Sequence, residues 1–150
     1  MYKLLISAIK RHLKETLPII EQLTEVNIWN APFPEGREIG EVELHMVRSI
    51  EFYMKGITTN QWEYLGYSLY EYDSAEAIIE LARDVFKRVE VYTSLISTTD
   101  MERKVRPFNN EATIAQLIME MLEHSIHHRG QITIYLRLLR VKPVPIKYII

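Results

Sequence analysis

Residues 120–136 read Glu120-Met-Leu-Glu-His124-Ser-Ile-His-His128-Arg-Gly-Gln-Ile-Thr-Ile-Tyr-Leu136. The apolar positions around and within this stretch, Ile114, Leu117, Ile118, Met121, Ile132, Tyr135, Leu136 and Leu139, recur at the interval of a helix that buries one face. His124, Ser125 and His128 continue the same stripe, where core side chains are expected. On a helix, residues four apart stack on one face with Cβ atoms about 5–6 Å apart. Buried polar groups without partners cost a few kcal/mol each. Two imidazoles one turn apart therefore ask for a common partner, and a metal ion held by neutral ring nitrogens is one. No Glu follows His124, so the two-histidine helix of zinc proteases is not present.

Working outward, this helix is expected from about Glu111, capped by Asn110, to Arg140, where Lys142-Pro143-Val144-Pro145 stops it and leaves an extended tail to Ile150. Upstream, Ile78, Leu81, Ala82, Val85, Phe86, Val89, Tyr92 and Leu95 form the stripe of another helix, capped by Asp73 or Ser74 and followed by a polar connector over 100–110. A helix from about Glu38 to Gly56 carries Ile39, Val42, His45, Met46, Ser49, Phe52 and Tyr53 on one face. The first helix runs from Tyr2 to about Asn27, kinked near Lys14 and Thr16 by Pro18. Residues 30–36, with two prolines and a glycine, connect the first two helices. Residues 57–73 carry Trp62, Tyr64, Tyr67, Tyr70 and Tyr72 and break the pattern; they read as a long ordered loop, packed as a lid over the open end of the fold. Four long amphipathic helices with no convincing strand predict an all-α four-helix bundle, with one domain over residues 1–150.

Composition narrows the function. The 150 residues are 47% apolar and 25% charged, with a formal net charge of −2 and Lys and Arg scattered among 20 acidic residues, which gives no pull toward nucleic acid. No apolar run approaches the ~20 residues that span a bilayer, and the charged N-terminus reads as an amphipathic helix rather than a signal peptide. The expectation is a cytoplasmic protein with no membrane and no nucleic-acid partner. There is no cysteine, so a metal site must use nitrogen and oxygen donors.

A metal-dependent site commonly has three protein ligands and an open position. Of the five histidines, His45 lies on the inward face of the second helix, and bundle metal sites are built from facing helices. His45, His124 and His128 are thus the candidate ligands. His127 is turned about 60° from His124 around the axis and reads as a group on the rim of the site. His12, beside Arg11 and Lys14, reads as solvated, and Arg129 as a surface ion pair or dimer contact. Gln131 can hydrogen-bond a metal-bound water or orient a ligand. Glu41 and Glu120, each four residues before a ligand, can accept a histidine's second ring proton or simply face solvent. Gly130, in mid-helix, suggests a close helix contact.

The second-helix Glu41-Val-Glu-Leu-His45-Met-Val-Arg, followed far downstream by His124-Ser-Ile-His-His128-Arg129-Gly130-Gln131, resembles the DinB-like family of four-helix bundles. The likeness spans nearly the whole chain, including the Trp- and Pro-containing first connector. It departs where Leu139-Arg140 is followed by Val141-Lys142-Pro143 instead of the glycine usual in the family. The resemblance implies a three-histidine divalent metal site at His45, His124 and His128, zinc or nickel as the ion, and a homodimer. It further implies, for some relatives, metal-dependent transfer or isomerisation with a small cellular thiol. The alternative is a non-catalytic stress-response or interaction protein that the metal stabilises.

Overall fold

The computed structural model describes residues 1–147. Among them are four long helices, α1 (Tyr2–Glu21), α2 (Ile39–Thr59), α3 (Ala75–Leu95) and α4 (Ile114–Leu138). α1 runs through Pro18 and tightens into a 3-10 turn over Gln22–Glu25, so the α-helix ends earlier than its periodicity suggests. α2 ends at Asn60, whose left-handed backbone (φ 57°) suits an Asn. Ser74 caps α3 by accepting from the Ala77 N–H.

Two expectations about the start of α4 are corrected. Thr113, not Asn110, is its cap, and Thr113 and Gln116 satisfy each other's backbone N–H groups in a capping box. Just before it, β1 (Lys104–Val105) pairs antiparallel with β2 (Ala112–Thr113). This short ladder was not expected, because two-residue strands leave no alternation to read.

Contacts between the helices fix the topology. The Tyr2 hydroxyl donates to the Ile96 carbonyl (3.0 Å), and Arg83 pairs with Glu21 (2.7 Å), so α1 and α3 are antiparallel. Tyr53 reaches Glu120 while His45 reaches His124, so α2 and α4 are antiparallel too. His12 on α1 meets Arg129 of α4 as Leu5 lines a cleft with Ala115, which makes those two helices parallel. The order is up-down-down-up, and the α2–α3 connection must climb the length of the bundle.

That connection is a strap along α2, not a lid over an end. Trp62 lies on Gly56, where a Cβ would stand 2.3 Å from the indole, and Leu69 lies on Gly40, where a Cβ would stand 2.7 Å from its methyl. Between them the Tyr67 hydroxyl donates to Glu51, a carboxylate also held by Arg88 at 2.6 and 3.0 Å. With α3, α4 and the strap around it, α2 is buried on more than its predicted stripe: Leu44, Val47, Ile50 and Met54 are all inaccessible. Burying each such side chain is worth about 1.5–3 kcal/mol.

The described part of the tail packs on its own bundle. Gln22 donates to the Lys142 carbonyl and accepts from the Val144 N–H, and the Lys147 N–H donates to Glu15. The remainder of the predicted extended tail, 148–150, lies outside the described residues.

Candidate metal centre

α2 presents His45, and α4 presents His124 and His128 from successive turns, with all three rings half-buried. Their Nε2 atoms converge: His45 to His124 is 3.2 Å and His128 to His124 is 3.3 Å. Two nitrogens bound at 2.0–2.1 Å to one tetrahedral ion stand about 3.3–3.4 Å apart. The spacing fits a shared cation.

Proton counting makes the same point. Gln131 Oε1 lies 3.0 Å from His128 Nδ1, and the Gln131 amide donates to the Tyr135 hydroxyl, so His128 Nδ1 is the protonated nitrogen and its Nε2 is a free lone pair. Arg48 Nη2 lies 3.1 Å from His45 Nδ1, and a guanidinium only donates, so His45 carries its proton on Nε2. The His124 Nε2 between them cannot satisfy both neighbours with neutral rings. If it accepts from His45 it faces the His128 lone pair, and if it donates to His128 it faces the His45 proton. A cation accepting three lone pairs resolves the conflict, provided Arg48 leaves His45.

Electrostatics keeps the rings neutral. Burial, then the neighbouring His128 and His124, pushes His45 down to about 4. Burial is also the largest cause of the lowered values of His124 and His128. Arg37 and Arg48 add positive potential at His45. Neutral imidazoles are the form that binds metal.

The supporting residues sort less simply. Gln131 orients His128, one of the two roles foreseen for it. His127 is exposed and touches the site through a ring contact with His128 (5.1 Å between centroids). Glu41 and Glu120 do not accept from the histidines. Glu41 accepts the Leu69 N–H (2.8 Å) and anchors the strap, while Glu120 accepts the Tyr53 hydroxyl (2.8 Å). His124 Nδ1 is left buried without a hydrogen-bond partner.

Two placements are corrected: His12 is not solvated and Arg129 is not at the surface. Both are buried, with Arg129 Nη1 3.2 Å from His12 Nδ1 and 3.3 Å from the Thr16 hydroxyl, between α1 and α4. Flanking charge suggested solvent, but position 12 belongs to the same face as Ile9, Leu13 and Thr16. Gly130 faces open space, with nothing within 4 Å of a Cβ placed there, so it marks no helix contact. Arg48 was missed. Its signal was its place three residues after His45 on the same helix.

Fold and site together define an up-down-down-up helical bundle whose facing inner helices bring three histidines to one point. The chain belongs to the DinB family, whose model matches residues 1–150. It is similar in fold to a DinB-like protein of Bacillus subtilis (TM-score 0.78, 17% identity, 94% of each chain covered). A DinB-like protein of Bacillus cereus ATCC 10987 is also similar (TM-score 0.70, 21% identity, 89% of this chain and 91% of the other). No curated protein matches the chain. Among the described residues no helix is long and apolar enough to cross a membrane.

Proposed function

We propose that this chain holds a divalent ion, zinc or nickel, on His45, His124 and His128 and uses it for transfer or isomerisation chemistry with a small-molecule thiol. The observation that supports this most is the convergence of three Nε2 atoms from two helices at the spacing a shared ion requires. A bound ion would supply Lewis acidity and lower the pKa of a thiol or water beside it.

The chain's own residues set the terms. Gln131 holds the His128 proton on Nδ1 and aims the Nε2 lone pair inward. Arg37 and Arg48 put positive potential at His45, which favours an anionic partner there. Among the described residues no carboxylate hydrogen-bonds the three rings. The thiol comes from outside, since the chain has no cysteine. Homodimer formation and a cytoplasmic setting belong to the same proposal; a monomer mass by light scattering at high concentration would remove the dimer.

The test is thiol consumption with an electrophilic cosubstrate by metal-loaded protein. The reading expects metal-dependent turnover that disappears in His124→Ala. Full metal occupancy with no turnover on any thiol tried would favour an ion that only ties α2 to α4.

A further inference from the structure

On another side of the bundle, α1 and α3 part to leave a groove of about 820 Å³, within the size of ordinary small-molecule sites. No lining residue comes from α2 or α4, so it shares nothing with the histidine cluster. Its apolar lining is Ile6, Leu13, Leu17 and Phe86. The Tyr2 hydroxyl bonded to the Ile96 carbonyl closes one end, and the Arg83–Glu21 ion pair closes the other.

The rim is cationic. Lys10 and Lys14 line it from α1 and Lys87 from α3, with Arg83 already paired to Glu21 at one end and Glu90 as the lining carboxylate. Lys10 and Lys14 stand four residues apart, an arrangement of like charges that is unfavourable on an isolated helix. Lys10 and Lys14 make no ion pair among the described residues, and the Lys87–Asp84 pair (3.4 Å) is exposed and worth little. The chain as a whole is acidic, with a net charge of −2. The gathering of three lysines over an apolar floor is therefore a local feature.

The geometry points to a binding site for a small amphipathic anion, an acyl or aryl chain on the floor with its carboxylate between the lysine rows. Charge argues against a second copy of the chain. A two-fold interface sets the same patch against itself and would bring three lysines up against three lysines, with one Glu90 per copy to offset them. The apolar floor argues against inorganic phosphate or a nucleic-acid backbone, which needs cations alone.

The experiment is calorimetric titration of the full chain with dodecanoate, at concentrations below micelle formation. Saturable one-to-one binding is expected, weakened at least tenfold for the uncharged dodecanol and at least tenfold in the Lys10→Glu/Lys14→Glu variant. Both lysines are exposed, so the variant should fold; circular dichroism checks this, and Lys87→Glu is the independent second variant. Inorganic phosphate should not compete. Non-saturable binding would overturn the proposal. So would equal affinity for dodecanol, or wild-type affinity in both charge-reversal variants. A dimer that the same variants dissociate would assign the groove to a second copy instead.

Discussion

Arg48 Nη2 lies 3.1 Å from His45 Nδ1, and this contact opposes metal binding by the same ring. The guanidinium requires a lone pair on Nδ1, whereas a metal on Nε2 requires a proton there. Arg48 and the ion thus compete for the tautomer of His45. Arg48 has other partners in the Tyr64 hydroxyl (2.9 Å) and the Tyr67 carbonyl (3.1 Å), so it can let go without leaving the strap.

Arg48→Met should therefore bind zinc or nickel more tightly than the wild type. A hydrogen bond to a charged group is worth about 1.5–3 kcal/mol, so a gain of about tenfold to a hundredfold is expected. Competition against a chromophoric chelator at pH 7 reads it. Unchanged or weaker affinity would show that the contact does not compete.

Gln131 acts in the opposite sense, because its carbonyl accepts the Nδ1 proton of His128 and leaves Nε2 free. Loss of such a hydrogen bond typically costs 10–100-fold in metal affinity. Gln131→Leu should fall about that far in the same chelator assay while keeping its melting temperature without metal. An affinity equal to the wild type would remove Gln131 from the site.

Stability of the metal-free protein should depend on pH in two directions. Burial, then Arg129 and Arg11, pushes His12 down to about 3, and His45 is lowered to about 4. The unfolded chain, with both near 6.5, binds more protons below that pH. Their contribution is whole above 6.5, shrinks as pH falls from there, and is gone below the folded values. Glu43 is the converse case: both carboxylate oxygens are buried without partners, and burial raises its pKa from 4.5 to about 8. Its contribution is whole below 4.5 and declines as pH rises through 8. Urea midpoints from pH 4 to 9 should peak between these limits. Glu43→Met should gain about 1–3 kcal/mol at pH 9, and less at pH 5. An equal effect at both pH values would mean the carboxyl does not titrate as described.

The glycines separate strap from helix. Gly130 is helical with open space beside it, so Gly130→Ala should stabilise by about 0.5–1 kcal/mol. Gly56→Ala should destabilise, since its Cβ would meet the Trp62 ring, and indole fluorescence should shift as Trp62 is pushed outward. Thermal melts of the two variants check the signs. A stable Gly56→Ala with unchanged fluorescence would mean that the strap does not rest there.

Much of this was legible because helical periodicity is a local signal. The four stripes, the Ser74 cap and the placing of His45, His124 and His128 on inward faces all follow from residues a turn apart. What escaped depends on which helices are neighbours. His12 looked solvated from its charged flanks, but α4 brings Arg129 onto it. Glu41 and Glu120 have the right spacing for their histidines, yet the strap and Tyr53 claim them first. The path of residues 60–74 follows from an up-down-down-up order that no single stripe encodes, and the need for glycine at positions 40 and 56, where the strap rests, shows only once that neighbour is in place.

One ion on three histidines should show in the metal content of untagged protein by mass spectrometry, with His45→Ala measured beside the wild type. About one divalent ion per chain is expected, lost in His45→Ala and retained in Lys10→Ala, which lines the separate α1–α3 groove. No uptake after adding zinc or nickel, or full occupancy in His45→Ala, would contradict it.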